Sequence, residues 1–312
     1  MQIAIVGAGA MGSLFGGLLA RCGEAVTLLD VDRERVEAIR RHGLDLEIDK
    51  KAIHIGEISA KTPEEAVAGD DEPPDLLLVF TKTLHTRAAL AGVRPLLGAA
   101  THVVTLQNGL GNVETIAEFV PRERILVGVT TVAADFIAAG RVRSDGCGVT
   151  RLGTADERDR PILCEVVNLF VRCGLHCSAD RSVWAAVWEK VAFNAAFNPL
   201  CAVTGCSVEQ IALDPRGPET LVAVIAEVME VAHACGVRTD TSRVTKMALG
   251  ALSTHAGHQP SMLQDLLAGR RTEIDSINGA VVAAARKHCL HVPRTEMLLT
   301  QVRLIEAARG LR

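Results

Sequence analysis

The chain opens on an uncharged stretch in which a short apolar run, Gln2–Val6, is followed by Gly7-Ala-Gly9-Ala-Met-Gly12 and then by the apolar residues that continue to Ala20. No other feature limits the fold so narrowly. Between a strand and a helix, each glycine of such a turn has its own task. Gly7 allows the tight bend, Gly9 lets the backbone approach a pyrophosphate, and Gly12 lets helix and strand pack closely. The anion then sits on the amides at the helix N-terminus, against Gly7, Ala8, Gly9, Ala10, Met11 and Gly12. The bland alternative is a βα turn that binds nothing. Five glycines interrupt residues 1–20 and no basic segment precedes them, so neither a signal peptide nor a membrane span is expected.

Alternation of strand and helix continues through the first half. Apolar runs at Ala25–Leu29, Asp75–Phe80, His102–Leu106 and Ile125–Ala134 predict strands, and Ala10–Cys22, Arg33–His42, Thr83–Leu97 and Gly111–Phe119 predict the helices between them. Leu44–Ile48 and Ile53–Ile58 predict a hairpin around Lys50-Lys51, and Asp70–Pro74 a short polar loop. Arg141–Leu152 predicts a small antiparallel addition, and Pro161–Cys173 a last helix. Continuous apolar strands spaced by helices predict a doubly wound parallel sheet of the Rossmann type. From Ser182 the periodicity is helical, with helices predicted at Val183–Asn198, Pro218–Cys235, Ser242–Leu252, Thr272–Cys289 and Arg294–Arg309. The expectation is α/β: a Rossmann dinucleotide-binding domain over 1–180 and an all-helical substrate-binding domain over 181–312.

Composition excludes several function classes. A net charge of −4 and aromatics at 3% offer neither the basic surface nor the stacking platform that nucleic acid or an anionic membrane requires. The nine cysteines are odd in number and scattered, which reads as reduced thiols in a cytoplasmic protein. Cys173 and Cys177 lack a second pair at zinc spacing, so no metal site is expected. His255 and His258 read as loop residues. Tyrosine is absent, so the chain cannot build the Tyr-Lys acid pair of short-chain dehydrogenases.

Asp30 ends the second predicted strand, 18 residues past Gly12. A carboxylate there binds ribose hydroxyls and repels a 2′-phosphate, which favours NADH. Arg33 and Arg35 are long enough to reach such a phosphate, so NADPH stays open.

Lys190, Asn194 and Asn198 follow one another at intervals of four in the helical half. Each step of four advances about 400° around a helix, so the three share one stripe about 6 Å apart along the axis. The residues between them are apolar (Val191, Ala192, Phe193, Ala195, Ala196, Phe197). An ammonium and two carboxamides on so apolar a helix require partners. A substrate bearing a carbonyl and a hydroxyl is one solution, and a polar network within the protein is the other. Asn198 precedes Pro199, so the helix is expected to end or kink there.

Ser261-Met-Leu-Gln-Asp265 and Gly269-Arg-Arg-Thr-Glu273-Ile-Asp-Ser-Ile-Asn278-Gly279, taken with the glycine loop, Lys82, Gln107-Asn108-Gly109 and the Lys190/Asn194/Asn198 stripe, closely resemble the ketopantoate reductase family. The resemblance spans nearly the whole chain, and 190–199 and 261–279 are its specific parts. It implies reduction of 2-dehydropantoate to (R)-pantoate on the way to pantothenate, with NAD(P)H as cofactor. It makes Lys190 the general acid, and Glu273 the carboxylate beside substrate, cofactor and that lysine. It makes Asn194 and Asn198 ligands for the substrate's hydroxyl and carbonyl, and Ser261 a ligand for its carboxylate. Asn108 then lies where nicotinamide and substrate meet, and Lys82 near the cofactor. Asp30 departs from the pattern, because members using NADPH usually carry a basic residue there.

Each assignment has a structural rival. Lys190–Glu273 also fits an ion pair, Asn194 and Asn198 contacts between helices, Ser261 an N-cap for Met262–Leu267, and Asn108-Gly109 an ordinary turn. Among functions, an NAD-dependent (R)-2-hydroxyacid dehydrogenase acting on a branched or aromatic 2-oxo acid stays open, as does a non-catalytic NAD(P)-binding sensor. Apolar stripes at Leu221–Cys235 and Ile277–Ala285 are expected to form either a homodimer surface or core.

Overall fold

The structure, a computed structural model, describes residues 1–69, 72–254 and 257–311. His255, and Asp70 and Asp71 of the expected polar loop, lie outside them. The chain divides into two compact units: Met1–Gln107 with Asn112–Val183, and Asn108–Gly111 with Trp184–Arg312. Four residues from the first half of the sequence thus belong to the second unit.

Among its described residues unit 1 carries twelve strands: β1 (Gln2–Val6), β2 (Ala25–Leu29), β3 (Leu44–Ile48), β4 (Lys51–Ile55), β5 (Ser59–Lys61), β6 (Leu76–Val79), β7 (His102–Thr105), β8 (Ile125–Thr130), β9 (Asp135–Ala138), β10 (Arg141–Ser144), β11 (Thr150–Thr154) and β12 (Cys177–Ala179). Eight form one sheet in the order β12-β11-β8-β7-β6-β1-β2-β5. Pairing is parallel except between β8 and β11. The order reverses between β1 and β6, the switch point at which open α/β sheets hold ligands at their carboxyl ends. β6, Leu-Leu-Leu-Val, is buried along its whole length, as a strand covered on both faces must be.

A second sheet, β4-β3-β10-β9, departs from expectation in register. Asp49 and Lys50, at φ 49° and 62°, make the turn, and Lys51 already pairs with Ile48. Two consecutive positive φ values match the twist of a two-residue hairpin, so the turn lies one residue earlier than expected. The expected addition at Arg141–Leu152 divides between the sheets. β10 pairs parallel with β3 and antiparallel with β9, while β11 returns to the large sheet. Thr83–Leu97 is a helix only over Thr86–Gly92, flanked by 3-10 turns, because Pro95 cannot donate to a continuing ladder. Thr62 and Glu65 form a reciprocal capping box for an unforeseen helix, Pro63–Ala68.

Unit 2 is helical: Val183–Thr204, Arg216–Ala234, Thr241–Thr254, Ser261–Leu267, Ala280–Lys287 and Pro293–Ala308, with a π-helical turn at Asp275–Gly279. Of the expected end or kink at Asn198, the end is corrected here. The first helix runs through Pro199 for five further residues to Thr204. Both apolar stripes offered as a homodimer surface prove to be core. Leu221, Val224, Ile225, Val228, Ile277, Val281, Val282 and Ala285 are all buried. No helix among the described residues is long and apolar enough to cross a membrane.

Candidate active site

In unit 1 the glycine loop is built as its residue types demand. Gly7 has φ 98° and donates its N–H to Leu29 O at 2.8 Å. A Cβ on Gly12 would lie 1.9 Å from Gly7 O, whereas one on Gly9 would meet nothing within 4 Å. The loop is therefore closed on its protein side at Gly12 and open at Gly9, the N-cap of helix Ala10–Arg21. That helix has no acidic residue in its first turn to compete with a bound phosphate for its N–H groups. Lys82 opens the turn after β6, and its carbonyl accepts from His85 N–H at 2.9 Å. The adjacent Thr81 backbone nitrogen lies 2.9 Å from where a Gly7 Cβ would stand, so β6 delivers Lys82 beside the loop.

Asp30, buried at the end of β2, holds the loop in place. Its Oδ2 accepts from Ala8 N–H at 2.8 Å and from Arg35 Nη1 at 2.7 Å, and its Oδ1 accepts from Asp32 N–H at 3.0 Å. Arg35 also pairs with Asp32 and lies 5.0 Å over the ring of Phe136 on β9. Phe136 as the platform under Arg35 is not legible in sequence, because it arrives from the second sheet. Arg33 is exposed. The residues fit a dinucleotide: an open backbone cradle at a helix N-terminus, and a carboxylate with lone-pair capacity left after three bonds.

Every other candidate side chain belongs to unit 2. Lys190, Asn194 and Asn198 share the long helix, with Trp188, Val191 and Phe197 buried around them. Asn198 is buried, and Lys190 and Asn194 are half-buried. Burial pulls the Lys190 ammonium down from 10.5 to about 8, and the Glu273 carboxylate pulls it back up less strongly. Desolvation therefore wins over the opposite charge. A lysine at about 8 exchanges its proton near neutral pH, as a general acid must.

Glu273 accepts from Asn108 Nδ2 at 3.2 Å. That contact is made possible by Gly109, which has φ 82° and whose absent Cβ would lie 2.4 Å from Ser276 O. The next residue, Leu110, donates its N–H to that carbonyl at 2.8 Å. Asn108-Gly109 is thus a backbone dock on the segment after Glu273, not an ordinary turn. Ser261 is exposed and is the first residue of its helix, with Pro260 in the N-cap position, so the rival reading of Ser261 as the cap is corrected. Gln107, quoted in the motif without a role, ties unit 1 together: Nε2 donates to Thr81 O at 2.6 Å and to Thr86 Oγ1 at 2.7 Å.

Comparison with known proteins places the whole chain. The profile of the family "Ketopantoate reductase PanE/ApbA" matches residues 3–157, and that of "Ketopantoate reductase PanE/ApbA C terminal" matches 182–306. A 2-dehydropantoate 2-reductase of Halobacterium salinarum is 35% identical over 98% of this chain and 99% of its own. One of Streptococcus pyogenes serotype M6 is 30% identical over the full length of both. Among solved structures, D-mandelate dehydrogenase with NADH and anilino(oxo)acetate superposes with a TM-score of 0.94 at 27% identity, covering both chains fully. The 2-dehydropantoate 2-reductase of Geobacter metallireducens gives 0.90 at 32% identity, over 97% of this chain and 99% of its own. With both halves matched and relatives aligned end to end, the chain belongs to the ketopantoate reductase family.

Proposed function

We propose that this chain reduces 2-dehydropantoate to (R)-pantoate with a nicotinamide dinucleotide held at the glycine loop, and that Lys190 donates the proton. The carrying observation is a lysine pulled to about 8 by burial, in the same unit as Glu273, Asn108, Asn194, Asn198 and Ser261. When bound, the dinucleotide supplies hydride to the substrate's carbonyl carbon. Negative charge then grows on the carbonyl oxygen. The Lys190 ammonium stabilises that charge and transfers its proton to the same oxygen. Glu273 keeps Lys190 protonated, and Asn108 orients Glu273 through the 3.2 Å bond to Oε2. The carboxamides of Asn194 and Asn198 hold the hydroxyl and carbonyl, and the exposed Ser261 hydroxyl takes the substrate carboxylate.

Gly7, Ala8, Gly9, Ala10, Met11 and Gly12 would hold the pyrophosphate, with Lys82 beside them. Asp30 supports NADH over NADPH. For Arg35 to reach a 2′-phosphate it would have to leave Asp30, Asp32 and the Phe136 ring.

A second reading, an NAD-dependent (R)-2-hydroxyacid dehydrogenase, is favoured by one observation: a D-mandelate dehydrogenase bound to NADH superposes with a TM-score of 0.94. The full-length relatives at 30–35% identity are 2-dehydropantoate reductases, which supports the first reading. Initial rates with NADH and NADPH against 2-dehydropantoate, 2-oxoisovalerate and phenylglyoxylate decide between them. Preference for phenylglyoxylate by orders of magnitude defeats the first reading, and no turnover with any acid leaves a dinucleotide sensor. In the same assay Asp30→Arg is expected to move the NADPH-to-NADH ratio of kcat/KM upward by about tenfold or more, each factor of ten being about 1.4 kcal/mol.

Self-association through the helical unit would use other apolar residues, since Met247, Leu267, Met297 and Leu304 are exposed there. Light scattering of the purified protein tests it.

A further inference from the structure

Pro199 lies inside the helix Val183–Thr204. A proline has no N–H to give to the carbonyl four residues back, and its ring crowds that carbonyl. The group deprived is Ala195 O, in a helix whose neighbouring residues Ala195, Ala196 and Phe197 are buried. A buried carbonyl left without a donor has lost its water and gained nothing in exchange, so it is costly. Here the donor is supplied from elsewhere in unit 2: Asn278 Nδ2 reaches Ala195 O at 3.1 Å. Asn278 is fully buried. Its Oδ1 is buried too and accepts no bond from any described residue, so this position uses the carboxamide for its donor.

The placement of this tie is informative. Ala195 is five residues past Lys190, and Asn278 is five past Glu273. The missing rung joins the residues directly after Asn194 and Asn198. Asn278 itself stands on the π-helical turn Asp275–Gly279, where Gly279 N–H reaches back five residues to Ile274 O at 3.0 Å. Such wide turns re-aim a side chain within a helix and occur often at functional sites. The same turn presents Ser276 O to Leu110 N–H, so one short segment fixes both the loop that carries Asn108 and the helix that carries Lys190.

We propose that Asn278 is a positioning residue for the reaction: its carboxamide replaces the backbone rung that Pro199 removes and so holds Lys190, Asn194 and Asn198 in register with Glu273. Asn278 touches no reacting atom in this scheme, which rests on the reading of Lys190 as proton donor.

The test is a double-mutant cycle on the intact protein. Asn278→Leu removes the donor. Pro199→Ala restores a backbone N–H, so that Ala195 O no longer depends on residue 278. N278L is expected to lower kcat by about tenfold to a hundredfold, the scale set by a misplacement of about 1 Å, and to displace the alkaline limb of the kcat–pH profile, with NADH affinity unchanged. P199A is expected to stay near wild type, and P199A/N278L to lie within about threefold of P199A, so that the two substitutions couple strongly instead of adding. Equal losses in both backgrounds, or wild-type kcat and pH profile in N278L, overturn the proposal. Should N278L fail to fold, by circular dichroism and NADH binding, Asn278→Gln takes its place. It keeps the carboxamide but carries it one methylene further, and is expected to lower kcat and displace the limb; an unchanged profile overturns the proposal equally. Lys190→Ala run beside these separates the two claims. Unchanged kcat there defeats the proton donor, whereas the rescue by P199A is read from the cycle alone.

Discussion

The two units handle a buried charged group in opposite ways. Asp30 in unit 1 is surrounded by donors: the Ala8 and Asp32 backbone N–H groups and the Arg35 guanidinium. Lys190 in unit 2 is set among apolar neighbours with Glu273 as the named opposing charge, and its ammonium is pulled to about 8. A carboxylate with three donors is fixed in one geometry, which suits recognition of a ligand that must be held and not transformed. An ammonium destabilised by burial releases its proton readily, which suits chemistry. On the proposed function the difference separates a recognition device from a reactive one, and each should be breakable without the other.

The largest expected effect falls on the reactive side. Lys190→Ala should lower kcat by about a thousandfold, within the range for loss of a general acid, while NADH binding measured by fluorescence stays unchanged. Loss of both together would mean that the units are not separable in this way. A smaller effect falls on the recognition side. Gly12→Ala places a Cβ 1.9 Å from Gly7 O, a clash of a methyl carbon on a backbone carbonyl that no side-chain rotation relieves. It should destabilise the fold by about 1–3 kcal/mol, as overpacking does, and weaken dinucleotide binding, seen as a lower Tm and a higher Kd for NADH. Wild-type values in both would show that the helix does not pack on the turn as described.

These two regions also differ in how far they can be read from sequence. The glycine loop is local: each residue acts on neighbours within a few positions or on the strand beside it, and glycine is the residue that leaves the space. The stripe of Lys190, Asn194 and Asn198 is likewise local, set by helical period. What supports them is not local. The bond from Asn278 to Ala195 spans 83 residues and that from Asn108 to Glu273 spans 165. Pro199 therefore read as a helix end, because the donor that lets the helix continue is far along the chain. Short edge strands were missed for another reason. β5 and β12 have three residues each, too few to show a period. The apolar stripes at Leu221–Cys235 and Ile277–Ala285 were legible as stripes, but what covers them is a fact of packing, and it is the unit's own interior.

The subtlest test asks whether the Glu273 charge acts on Lys190, raising its pKa against burial. On the proposal that Lys190 is the proton donor, only its ammonium can serve, so the rate of reduction should be flat at low pH and fall as pH rises through about 8. The wild type is expected to fall to about half its plateau where half the lysine is protonated. Glu273 raises the Lys190 pKa against the stronger effect of burial. Glu273→Gln removes that charge and leaves burial unopposed, so the alkaline limb of kcat should move to lower pH. The reverse oxidation, which needs the free amine, should gain at neutral pH by the same displacement. Asn108 keeps a partner in the glutamine carbonyl, so its hydrogen bond can persist while the charge is lost. A limb that stays near 8 in E273Q would assign the titration to another group, and one that moves upward would mean that the carboxylate does not face the lysine in the working enzyme.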